Sequence, residues 1–114
     1  MANLSEETID TVLNLQRRLL QLINEATTTA FIILEQYGET EATISDLEIL
    51  QNVRERGTSY YVRLYRLLLQ IADSQPVATS ATLNLLVQSI EQTQTIIDGG
   101  EATVQEAKRD WNIL

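Results

Sequence analysis

Half of the basic residues of this 114-residue chain fall within one short stretch, Arg54, Arg56, Arg63 and Arg66, interleaved with Tyr60, Tyr61 and Tyr65. The chain has 8 basic and 16 acidic residues, a formal charge of −8. Between Arg54 and Arg66 four arginines face one glutamate, giving +3 and leaving −11 for the rest. Arginine and tyrosine are enriched at interface hot spots because each buries contact area while still satisfying polar groups. The chemistry of this stretch is therefore recognition. Arg63 and Arg66 have no carboxylate three or four residues away to pair with, and neither do Arg17 and Arg18 on the first helix. If the first two helices form an antiparallel hairpin counted from Tyr37 and Asp46, Arg66 comes level with Arg17 and Arg63 with Leu20. The expected partner-binding residues are accordingly Arg17, Arg18, Tyr60, Arg63 and Arg66. The competing reading places the tyrosines in the core and leaves the arginines solvated or paired across helices, where exposed charges contribute little.

Catalytic chemistry has few candidates. There is no histidine, which removes the commonest general base and transition-metal ligand, and no cysteine for disulfides or thiolate sites. An acidic helical bundle can hold a di-metal centre, but the ferritin-like arrangement needs inward Glu-x-x-His pairs. The one Glu-x-x-Asp pair, Glu7 and Asp10, lies at a helix start where acids serve the dipole. Magnesium needs several converging oxygens. The single lysine, Lys108, stands in no phosphate-loop context, and nothing is present to activate a serine or threonine. No enzyme, cofactor or metal is expected, and no motif is specific enough to name a family.

The elements that must position these side chains all read as helices. The first spans about residues 5–37 from an N-cap at Ser5 to Gly38, which suits a helix terminus. It carries two seams at alternating four- and three-residue spacing. One is Ile9, Leu13, Gln16, Leu20, Ile23, Thr27, Ala30, Leu34, Tyr37; the other is Val12, Leu15, Leu19, Leu22, Ala26, Thr29, Ile33. Two seams call for neighbours on two sides. A capping box of Ser45 and Glu48, with an Ile44–Ile49 staple, places the second helix at 46–73. The seam Leu47, Leu50, Arg54, Gly57, Tyr61, Leu64, Leu68, Ile71 keeps phase through Gly57, which favours a continuous helix. The hairpin count sets Gly57 opposite Ala26 and predicts a close helix crossing there. Pro76 opens a third helix at 77–97, ended by Asp98-Gly99-Gly100. Val104, Ala107 and Trp111 then give a short fourth helix over 101–112 or a bent extension of the third, with Trp111 as a lid.

The fold expected is thus all-α, a single up-down helical-bundle domain of three long helices and a short C-terminal one. A homodimer would bury the second seam of the first helix. The longest apolar run is far short of a membrane span, and the N-terminus has neither a basic run nor an apolar core of a secretory signal. A cytoplasmic protein follows as the expectation, and the Gln- and Thr-rich, lysine-poor composition suggests a bacterial source. The expected function is a non-enzymatic adaptor or regulator that binds another protein. The alternative is a regulator that binds a small ligand or nucleic acid by holding phosphates on the arginine cluster. The net charge disfavours nucleic acid, and a steep loss of binding with salt would distinguish that case.

Overall fold

The computed structural model describes residues 4–114 as three helices, α1 (Glu6–Tyr37), α2 (Glu41–Asp73) and α3 (Ser80–Asp110). They pack pairwise into an up-down bundle of 56 × 21 × 18 Å, with no strand among the described residues. Each helix starts on a hydroxyl. Ser5 accepts from the Thr8 amide, and Thr79 from that of Thr82. Thr40 and Thr43 form a reciprocal capping box at the head of α2.

That last cap corrects the expected start of the second helix. The box is Thr40/Thr43, and Ser45, Glu48, Ile44 and Ile49 all lie inside α2. The Thr43 hydroxyl also donates to the Gly38 carbonyl (2.8 Å), so one buried side chain fastens both ends of the turn. Gly38 itself takes a φ of +73°, which a side chain would strain. The linker is only Gly38 to Thr40.

The second correction concerns α3, which runs through Gly99 and Gly100 without a break, so no separate fourth helix exists. Gly100 continues the seam from Ile97 to Val104 and Ala107, all three buried around it. Burial of that seam outweighs the roughly 1 kcal/mol that each glycine costs a helix. Pro76 belongs to the connection before α3, where Ala78 is tucked into the core. The helix ends on a Schellman turn. Asn112 takes a φ of 55°, and the Ile113 amide donates to the Lys108 carbonyl (2.8 Å).

Every residue of the second α1 seam, Val12 through Ile33, is buried. On α2 the buried residues Thr43, Leu50, Gly57, Leu64 and Ile71 recur every seven positions, a period that keeps one face inward along the whole rod. Two glycines set the closest approaches. A Cβ on Gly57 would meet Ile23 Cγ1 at 2.9 Å, and one on Gly100 would meet Leu22 Cδ2 at 2.8 Å. Consecutive residues of α1 are thus gripped from both sides. α2 is continuous through Gly57 and the crossing is close, as expected. It falls beside Leu19 and Ile23, one turn from Ala26, because α2 begins five residues earlier and shifts the register.

This waist divides the interior. One core gathers Val12, Leu15, Leu19, Leu64, Ile71 and Leu86; the other gathers Leu22, Ala26, Ile33, Leu50 and Val104. Trp111 closes the second end. Its indole N–H donates to Asp46 Oδ2 (2.6 Å), its ring lies 4.9 Å from that of Tyr37, and its carbonyl accepts from the Tyr37 hydroxyl (3.0 Å). One residue therefore fastens the end of α1, the start of α2 and the end of α3, acting as the expected lid.

Candidate protein-docking surfaces

A three-helix rod has three lateral grooves, and here they differ in chemistry. The α1/α3 groove is bridged by charge, around a hollow of 490 Å³ between Gln21, Leu22 and Glu25 of α1 and Glu101, Val104 and Gln105 of α3. Arg18 donates to Asp98 (3.3 Å) and Glu101 (3.1 Å), and Lys108 donates to Glu25 (2.6 Å). Arg18, expected among the docking residues, is thereby turned toward α3 and paired across helices.

The outer α1/α2 face is apolar. Leu13, Leu20 and Leu34 of the first seam, with Phe31 beside them, are 45–61% exposed. Near the Gly38 end a depression of 450 Å³ lies between Ala30, Phe31 and Leu34 of α1 and Leu47, Gln51 and Arg54 of α2. The two seams of α1 thus meet different fates. Both neighbouring helices lean on the second, and only part of the first, such as Ile23 under Gly57, is drawn in.

The α2/α3 groove is basic and open. Arg63 and Arg66 line one hollow of 730 Å³ with Leu85, Gln88 and Gln92 of α3. Arg56 and Tyr60 line a second of 790 Å³ that reaches Gly99 and Gly100, and Ser59 borders both. The Arg63 guanidinium stacks over the Tyr60 ring at 4.7 Å and donates to Gln92 Oε1 (3.1 Å), so it is held ready without being neutralised. Tyr60 is half-buried and packs against the first core.

Of the five expected residues, the structure brings Tyr60, Arg63 and Arg66 to one groove. Arg17 is exposed on α1 and borders neither hollow, and Arg18 serves the α1/α3 groove. Arg56, in the same arginine stretch but outside the five expected residues, also lines this groove, and so does an α3 wall about which a hairpin count relating α1 to α2 carries no information. Among the described residues no cluster of three or more acids could hold a metal ion, and no helix is long and apolar enough to cross a membrane. No family model, curated protein or solved structure matches this chain.

Proposed function

We propose that this chain is a non-enzymatic interaction module, a cytoplasmic adaptor or regulator that pairs with a second copy of itself and binds a protein partner. The observation that carries the reading is the exposed half of the first α1 seam. Leu13, Leu20 and Leu34 lie on a seven-residue period with Thr27 completing it, so the stripe is symmetric about the Ile23–Asn24 step. A two-fold axis through that step sets Leu13 of one copy against Leu34 of the other and Leu20 against Thr27. Such self-complementarity is what an isologous interface requires. Phe31 widens the stripe, and burying it removes apolar surface that a monomer leaves in water.

Light scattering tests this directly. The wild type is expected at twice the 12.9 kDa chain mass, and Leu13→Glu/Leu20→Glu at the mass of one chain with its helicity intact. A wild type that weighs one chain at all concentrations overturns the pairing.

A further inference from the structure

We propose that the α2/α3 groove receives a single amphipathic helix from another protein, with carboxylates along the edge that meets α2. This rests on reading the chain as an interaction module and names the chemistry of its partner. The first argument is charge. Arg18, Arg54 and Lys108 have carboxylates within 4.0 Å; the other five basic residues have none among the described residues. Three of those five, Arg56, Arg63 and Arg66, line this one groove, where Glu55 is the only acid among the described lining residues. In a chain of net −8, arginines left unpaired beside an open groove make it complementary to acids.

The second argument is shape. Apolar side chains line both hollows: Val62, Leu67, Val53 and Ile96 are at least half-buried, and Leu85 and Ile49 are exposed. An apolar lining beside a charged rim suits one helix laid lengthwise. Arg56 and Arg63 are two turns apart and Arg66 follows within another, so the rim spans about 15 Å at 1.5 Å per residue. Carboxylates seven residues apart on a partner helix would meet Arg56 and Arg63 together. The opposite wall is bare at Gly99, where an added Cβ would meet nothing within 4 Å.

Gly99 also supplies the test. Gly99→Leu adds a side chain to the groove wall from a Cβ that meets nothing within 4 Å, and replaces a poor helix former with a good one. The probe is a displayed library of three-heptad helical peptides selected on the wild-type chain. Selected peptides are expected to carry Asp or Glu at heptad spacing beside an apolar stripe. They should bind about tenfold more weakly to Gly99→Leu and to Arg63→Glu/Arg66→Glu, and to lose affinity as salt rises. Acid-poor winners, equal binding to Gly99→Leu, or an empty selection each overturn the proposal. So does full displacement by millimolar inorganic phosphate, which would make the groove a small-anion site. The wild-type mass, measured in parallel, reports on pairing through the outer face, so failure of one idea is separable from failure of the other.

Discussion

The two sides of α2 are built from the same helix and present opposite chemistry. Toward the outer face it shows Leu47 and Leu50 with one arginine, Arg54, that is paired with Glu55; toward α3 it shows the unpaired Arg56, Arg63 and Arg66. The difference follows from what lies across each groove. α1 brings leucines and a phenylalanine to the outer face, while α3 brings glutamines, hydroxyls and a bare Gly99 to the inner one, with Leu85 and Ile96 between them. An apolar stripe can be covered by a copy of itself. A stripe of like charges cannot, because two arginine rims would repel across a two-fold axis. One helix can therefore serve two kinds of contact without confusing them.

The largest expected effect removes both sides at once. Gly57→Leu drives a side chain into Ile23, where a single added Cβ already lies at 2.9 Å. It should cost about 3 kcal/mol, seen as a lower thermal midpoint and weakened assembly and peptide binding together. A midpoint unchanged or raised would remove the waist as an organising contact. Trp111→Ala comes next, at about 2 kcal/mol for a half-buried ring with one strong hydrogen bond. Chemical denaturation should show that loss, while groove binding by the folded chain persists. Thr29→Val should act the other way. The Thr29 hydroxyl is fully buried with no hydrogen-bond partner among the described residues. Replacing it with a methyl should add about 1 kcal/mol, read as a raised urea midpoint, and leave both surfaces as they were. The smallest effect sharpens the contrast most. Gly99→Ala should stabilise by up to about 1 kcal/mol, whereas Gly100→Ala, pressed against Leu22, should not. Equal gains at the two positions would mean that α3 does not lie against α1 as described.

Much of the fold was legible because its seams are periodic. The buried line Val12–Ile33 and the seven-residue line through Leu50, Gly57, Leu64 and Ile71 both stand in the spacing of apolar residues. Boundaries were less so, since they turn on competing local signals. Ser45/Glu48 and Thr40/Thr43 both qualify as caps, and the choice is made by Thr43 reaching the Gly38 carbonyl, a contact across the turn. Gly99-Gly100 looks like a terminator until Leu22 is known to lie beneath it. The five-residue difference at the head of α2 also shifts the hairpin register and moves Gly57 by about a turn. For the candidate site, clustering of arginines on α2 was plain in one dimension. Their separation from Arg17 and the capture of Arg18 by Asp98 and Glu101 depend on how α3 wraps the hairpin, which no spacing within α1 or α2 encodes.

The elongated form of the bundle, 56 Å by 21 Å by 18 Å, has a hydrodynamic consequence. A rod tumbles end over end more slowly than it spins about its axis, so backbone relaxation along the three nearly aligned helices should report a strongly anisotropic diffusion tensor. Pairing along the outer face lays two rods side by side: mass doubles while length does not, and the tensor becomes less anisotropic. An end-to-end chain would do the opposite. Rotational diffusion thus distinguishes lateral from longitudinal assembly without any substitution at all.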